Sequence, residues 1–142
     1  MDYFQLVATI SLVTQMVVLV LLFGSLWLKG KKQYRQHGIT MLTAVVVHLV
    51  VVLAWMLPEF YSLLRSLISI NLADIITLTA LVHAVTGIMT AIFGIWLVAS
   101  WHLQADIKTC FAKKGAMRVT LTLWLIALVL GIILYLKIIQ LF

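Results

Sequence analysis

Proline, cysteine and acidic residues are all scarce in this sequence, and each shortage narrows what the chain can be. A single proline leaves long stretches in which nothing interrupts a helix. A single cysteine, Cys110, excludes a disulfide within the chain. Four acidic and ten basic residues cannot coat 142 residues that are 65% hydrophobic, with a mean hydropathy of +1.20. Because a soluble domain needs a polar surface, the composition indicates a membrane protein.

The sequence does contain four long apolar runs, at about 3–28, 39–57, 75–101 and 119–142. Each run meets the requirement of roughly 20 residues for a helix that crosses the hydrocarbon core of a bilayer. The runs are continuous and far longer than a barrel strand of about 10 residues. The sequence therefore predicts an all-α integral membrane four-helix bundle, forming a single transmembrane domain over residues 1–142.

Basic residues are concentrated in the first and third connections between these runs. The two clusters are Lys29, Lys31, Lys32 and Arg35, and Lys108, Lys113, Lys114 and Arg118. Since basic loops stay in the cytoplasm, we expect both termini outside a prokaryotic cytoplasmic membrane. The clusters suit contact with lipid headgroups. They do not suggest nucleic acid, because no aromatic residues are interleaved with them to form a binding surface.

The second connection is too apolar for a simple loop. Pro58 is expected to end the second helix, and the segment 59–70 has apolar residues at helical spacing. These residues are Phe60, Leu63, Leu64, Leu67 and Ile68. The pattern predicts a short amphipathic helix on the outer membrane surface. Two alternatives are a lid over the mouth of the bundle and a docking surface for another subunit.

No known catalytic motif is present: the sequence lacks a nucleophile elbow, a phosphate loop, Cys-x-x-Cys and HExxH. The candidates for chemistry are the four histidines, since ionisable side chains inside a bilayer are costly. His37 and His102 flank the inner ends of the second and third runs, where they are either interfacial residues or a haem or metal site. His48 and His83 lie within the membrane, and each is either a packed core residue or a cofactor ligand.

His83 has the richer surroundings. Ala80, His83, Gly87, Thr90 and Gly94 alternate in steps of three and four, so they share one helix face. Small residues on one face usually allow close packing of another helix. A porphyrin beside a histidine ligand would need the same space. On the first run, Gln15 is expected to form hydrogen bonds between helices.

The segment His37-Gly38-Ile39-Thr40-Met41-Leu42-Thr43-Ala44 resembles the start of the second helix in the CtaM-like family, small membrane proteins linked to haem–copper oxidase maturation. The resemblance covers about residues 35–141 and includes a histidine in the third helix. The further matching positions are His83, Arg118, Trp124, Gly131 and Tyr135. This chain departs from the family at Lys113, where the family usually has a histidine. If that histidine is a ligand, His102 replaces it here or the site is lost.

The resemblance implies a non-catalytic accessory subunit or assembly factor of a haem-containing redox complex, with other membrane subunits as partners. An alternative is a membrane electron carrier that binds haem b, or the anchor of a quinone-linked oxidoreductase. That alternative uses either His37 with His102 or His48 with His83. A third possibility is a structural subunit without a cofactor. The segment 59–70 and the face carrying Gly87 and Gly94 are the surfaces expected to dock a partner.

Overall fold

The computed structural model describes residues 3–67, 74–101 and 107–139, and nearly all of them are helical. The α-helices are α1 (Tyr3–Gly30), α2 (Tyr34–Val51), α3 (Leu57–Leu67), α4 (Ile75–Trp101), α5 (Ile107–Ala112) and α6 (Lys114–Ile138). A π-helical turn, Val52–Met56, joins α2 to α3. No strand occurs in the described ranges, which confirms the predicted all-α fold.

Four of the described helical segments are long and apolar enough to cross a membrane. They are Gln5–Gly30, Tyr34–Ser62, Ile75–Trp101 and Lys114–Ile138. Their outward surfaces are apolar, with Val20 70%, Phe23 61% and Ile75 76% exposed. Exposing such side chains to water costs free energy, whereas exposing them to acyl chains does not. The prediction of four helices that are long and apolar enough to cross a membrane is confirmed.

The four long helices form a closed ring. The most extensive packing joins α1 to α2 and α4 to α6, and smaller contacts between α1 and α6 and between α2 and α4 complete the ring. A small core of Val18, Ala44 and Trp124 ties three of the helices together. Because this core is narrow, space remains inside the ring on either side of it.

A tight turn reverses the chain between α1 and α2. Gln33 N–H donates to Leu28 O and Lys32 N–H donates to Lys29 O, each at 3.0 Å. This is the double hydrogen bond of a Schellman motif, with Lys32 in the left-handed conformation at φ 61°. The turn places the first turn of α2 against the last turns of α1, which brings His37 to Ser25.

The expectation that Pro58 ends the second helix was wrong. A proline inside a helix lacks an N–H and its ring collides with the carbonyl four residues earlier. The chain avoids this conflict by widening first, since Leu57 N–H donates to Val52 O, five residues back. With the π-helical turn before it, Pro58 is accommodated and the chain continues directly into α3.

Part of α3 borders the space between the long helices. Leu57, Glu59, Phe60 and Ser62 line a cavity there. This position is compatible with a lid over the mouth of the bundle, and the outer side of α3 is still open to a partner. Residues 68–70 of the predicted segment lie outside the described residues.

Both basic clusters lie at the same end of the bundle, because Lys29, Lys114 and Arg118 line a single cavity. Trp27 at this end is 60% exposed, and Lys31 Nζ lies 3.7 Å from the centre of its ring. Trp101 behaves differently from Trp27. It is buried and its indole packs directly against Gly38 of α2, so it closes the bundle interior.

Candidate functional site

Two cavities lie inside the described part of the bundle. The larger, about 600 Å³, is covered by α3 and is called the histidine cavity, because His48 and His83 line it. The smaller, about 360 Å³, reaches the end that carries Lys29, Lys114 and Arg118 and is called the basic cavity. His48 and Trp124 line both cavities, so they form the boundary between them.

His48 is held by a hydrogen-bond chain that fixes which ring nitrogen carries hydrogen. Trp124 Nε1 donates to Gln15 Oε1 at 3.2 Å, and His48 Nδ1 lies 3.2 Å from the same oxygen. An indole N–H only donates, so this atom of Gln15 is an acceptor, and His48 Nδ1 must donate to it. The lone pair then resides on His48 Nε2. His48 is 6% exposed and its Nε2 makes no hydrogen bond within the described residues, while the backbone of Gly87 lies close to the ring.

His83 has the same arrangement on a different helix. Its Nδ1 donates to the backbone oxygen of Ala127 at 2.8 Å, and a carbonyl oxygen only accepts. The lone pair of His83 therefore also resides on Nε2. The ring fits against α6 because Gly131 has no side chain, since a Cβ there would lie 2.9 Å from His83 Cε1.

The two imidazoles form a pair across the bundle, from α2 and α4. Both line the histidine cavity. A histidine that ligates a metal almost always donates its other ring N–H to a carbonyl, carboxylate or water, which fixes the ring and its tautomer. Gln15 and Ala127 supply these acceptors here. Both histidines are therefore oriented as Nε2 ligands.

The face of α4 that carries the small residues points into the bundle, not outward. Gly87 and Gly94 are both buried, so the expectation that this face docks another subunit was wrong. A Cβ at Gly94 would lie 3.2 Å from Val45 Cγ2, which is close helix packing. A Cβ at Gly87 would meet nothing within 4 Å, because Gly87 faces the histidine cavity. Gly94 thus fits the helix-packing interpretation, and Gly87 leaves open space beside His83.

His37 lies apart from this pair, at the basic cavity. Its Nδ1 lies 2.9 Å from the backbone oxygen of Ser25 and 2.6 Å from Ser25 Oγ. The Ser25 hydroxyl donates to the backbone oxygen of His37 at 3.1 Å. His37 Nδ1 donates towards Ser25, which leaves a lone pair on Nε2 that is buried and unpartnered among the described residues. His102 lies outside the described residues, so its pairing with His37 stays a prediction.

Several residues of the site were not among the sequence candidates. Gln15 was expected to bond between helices, and this is confirmed, but its partners His48 and Trp124 were not predicted. Ser25 was missed, although a polar residue inside an apolar run is a usable signal. Trp124, Gly131 and Tyr135 entered only through the family resemblance, and all three line the histidine cavity.

No three His, Cys, Asp or Glu side chains of the described residues form a group that could hold a metal ion. Comparisons with protein-family models, with curated proteins and with solved structures give no match to this chain. The chemistry open to the site follows from its donor atoms, which are two fixed imidazole lone pairs in a largely apolar cavity.

Proposed function

We propose that this protein is a non-catalytic membrane component of a haem-containing redox complex, an accessory subunit or assembly factor, and that it holds a haem b through His48 and His83. The observation that carries the proposal is the pair of imidazoles that line one cavity, each with its Nδ1 held by a hydrogen bond, so that the lone pair of each ring resides on Nε2.

The residues present fit a haem. Two imidazoles are enough for a haem iron, because the porphyrin supplies the other four nitrogens. The cavity of about 600 Å³ lies in the range typical of ligand pockets. Gly87 leaves an open face beside His83, as a flat macrocycle requires. Hydroxyl groups of Ser11, Ser62 and Tyr135 line the same cavity and can donate hydrogen bonds to the carboxylate groups of a haem.

The fixed histidine pair favours a non-catalytic role. His48 and His83 would hold the haem, which would supply one-electron chemistry. The other residues of the cavity would orient it beneath α3. The resemblance to the CtaM-like family supports a role beside a haem–copper oxidase, since Trp124, Gly131 and Tyr135 line the cavity.

Absorption spectroscopy tests the haem proposal. The protein is purified in detergent, incubated with haem b, and separated from free haem. Oxidised and dithionite-reduced spectra should then show a low-spin bis-histidine haem. His48→Leu and His83→Leu should each lose this spectrum, while His37→Leu, which changes an equally buried histidine of the other cavity, should keep it.

Two outcomes of this experiment would count against the proposal. Loss of the spectrum in His37→Leu with retention in the other two variants would place the haem in the basic cavity. Absence of any haem spectrum in the folded wild-type protein would remove the cofactor altogether.

The proposed orientation places the basic end of the bundle in the cytoplasm and both termini outside. Lys31→Cys and Lys113→Cys, each in a Cys110→Ala background, should react with an impermeant thiol reagent only in inverted vesicles. Cys110 is buried, so its replacement removes the native thiol without changing the surface. Labelling of position 31 or 113 in intact cells would reverse the orientation.

The proposed partners are other membrane subunits. Since the small-residue face of α4 is internal, the exposed side of α3 is the remaining predicted docking surface, and Tyr61 on it is 68% exposed. After gentle solubilisation, native electrophoresis should find the protein with other membrane subunits. Tyr61→Arg should release it, whereas migration only as a monomer or homodimer would contradict the assembly.

A further inference from the structure

The basic cavity has features that the haem proposal does not use. Lys29, Lys114 and Arg118 line it, and no described residue of its lining is acidic. Lys114 and Arg118 are four residues apart on α6, so they lie on one helix face. Three cations at one cavity mouth repel each other unless an anion lies between them.

Two helix N-termini add to this positive charge. Both α2 and α6 begin at the basic end, and Tyr34 and Lys114, their first residues, line the cavity. Neither helix has a side-chain hydrogen bond at its N-cap or an acidic residue in its first turn. Their first N–H groups are therefore available, and the positive ends of two helix dipoles favour phosphate.

A buried acceptor lies just inside the mouth. His37 is only one turn from the start of α2, is 4% exposed, and keeps an unpartnered Nε2 lone pair. An unpaired buried acceptor is unfavourable, so a ligand that donates a hydrogen bond here would be favoured. The donor must be an O–H or N–H group located close to the bound anion.

The rest of the cavity is an apolar shaft. It extends along α2 from His37 to His48, a distance of about 16 Å along the helix axis. Its walls are aliphatic and aromatic side chains that include Met41, Ala44, Leu97, Val98 and Leu121. A shaft of this length and character fits a hydrocarbon chain.

We propose that the basic cavity binds one anionic phospholipid with a hydroxyl in its headgroup, of the phosphatidylglycerol type. The phosphate lies between the N-termini of α2 and α6, with Lys29, Lys114 and Arg118. A headgroup hydroxyl donates to His37 Nε2, and one acyl chain occupies the shaft. This assignment is independent of the haem proposal, which concerns the other cavity.

Native mass spectrometry of the detergent-purified chain with added lipids tests the charge requirement. Phosphatidylglycerol should bind at least tenfold more tightly than phosphatidylcholine. Lys114→Gln/Arg118→Gln should reduce phosphatidylglycerol binding about tenfold. The matched control Lys31→Gln/Lys32→Gln removes two charges at the same end but none from the cavity lining, and it should change binding less than twofold. Equal losses in the two variants would mean general surface attraction and would overturn the site.

A second arm tests the hydroxyl. Phosphatidylmethanol has the same charge as phosphatidylglycerol but no headgroup hydroxyl, so the wild-type protein should bind it several-fold more weakly. In His37→Leu the two lipids should bind equally. Equal binding by the wild-type protein would disprove the role of His37, whatever the variant does. Displacement of the lipid by millimolar inorganic phosphate would show a site for the free anion and would overturn the assignment to a lipid.

Discussion

The two cavities of this bundle share a boundary and differ in their chemistry. His48 and Trp124 line both, and most other lining residues in each are apolar. The basic cavity has three cations among its described lining residues, whereas the charged residue among those of the histidine cavity is Glu59, on α3 at its outer end. The difference has a simple origin. Connecting segments can carry charge at a membrane surface, while the interior of the span tolerates only neutral polar groups that are held by hydrogen bonds.

On the two assignments proposed above, this small bundle separates two kinds of ligand. The basic cavity offers charge and helix ends to an anion near the membrane surface. The histidine cavity offers imidazole lone pairs to an iron within the span. Variants that affect one cavity and spare the other would sharpen this division.

The largest effect is expected at Gly38, which packs against Trp101 in the wall of the basic cavity. The Trp101 indole occupies the space that a Cβ at Gly38 would need, and both residues are buried. Because the indole is rigid, Gly38→Ala should destabilise the fold by about 3 kcal/mol, the upper part of the range for overpacking. Denaturant unfolding in micelles, followed by tryptophan fluorescence, measures this.

Gly24→Ala is the matched control for that experiment, since a Cβ at Gly24 would meet nothing within 4 Å. It should be at least as stable as the wild type, because alanine is the better helix former. The double variant Gly38→Ala/Trp101→Leu should recover part of the lost stability. A Gly38→Ala protein as stable as Gly24→Ala would show that Trp101 does not pack as described.

The next largest effect is expected at Gln15, which lines the histidine cavity and bonds both boundary residues, His48 and Trp124. Gln15→Leu removes the acceptor of both His48 and Trp124, so the ring of His48 is no longer fixed. Loss of such a supporting group typically weakens metal binding 10–100-fold, and we expect this loss in haem affinity. Phosphatidylglycerol binding should not change. Thr14→Val, which alters an exposed neighbour, is the control.

Equal weakening of haem and lipid binding by Gln15→Leu would contradict the separation of the two cavities. It would mean that the variant disturbs the bundle as a whole.

The sequence was sufficient for the features that depend on composition along the chain. Apolar run length predicted the four long helices, and the two basic connections predicted a common basic end, which Lys29 and Arg118 confirm. A proline usually ends a helix, which is why Pro58 was expected to do so. The π-helical turn before Pro58 instead lets the helix continue. A helix can absorb a proline by widening one turn, and the sequence gives no local sign of it.

The site was harder to predict because lipid-facing helices are apolar on all sides. Their hydrophobic pattern does not identify the inward face, as it does in a soluble bundle. Gln15 and Trp124 are 109 residues apart, and only the rotation of α1 and α6 in the ring brings them together. His83 could be selected from its small neighbours, whereas His48, surrounded by valines, could not.

A smaller effect is expected at Gly131, beneath His83. Gly131→Ala places a methyl group 2.9 Å from the present position of Cε1, so the ring must shift and its bond to Ala127 O must weaken. We expect about a tenfold loss of haem affinity, the lower end of the range found when a residue that supports a metal ligand is changed. Haem titration followed in the Soret band measures it.

Gly115→Ala, on the same helix and with open space around its Cβ position, is the control for Gly131→Ala. It should leave haem affinity unchanged. If the Gly131→Ala protein binds haem as tightly as the control does, His83 is not an axial ligand in the arrangement described.

The smallest effects distinguish the two glycines of α4, one beside each cavity. In Gly94→Ala, the new methyl group presses against Val45. This contact should largely cancel the stabilisation of up to about 1 kcal/mol that alanine gives a helix relative to glycine. Gly87→Ala meets open space, so the protein without haem should be more stable than Gly94→Ala by about 0.5 kcal/mol, measured by unfolding in micelles. With haem the order should reverse, because a methyl group at position 87 takes space from a macrocycle lying beside His83. A several-fold loss of haem affinity in Gly87→Ala, absent in Gly94→Ala, would place the porphyrin on this face. Unchanged haem affinity in Gly87→Ala would leave His48 and His83 as a packed, hydrogen-bonded pair with no macrocycle between them.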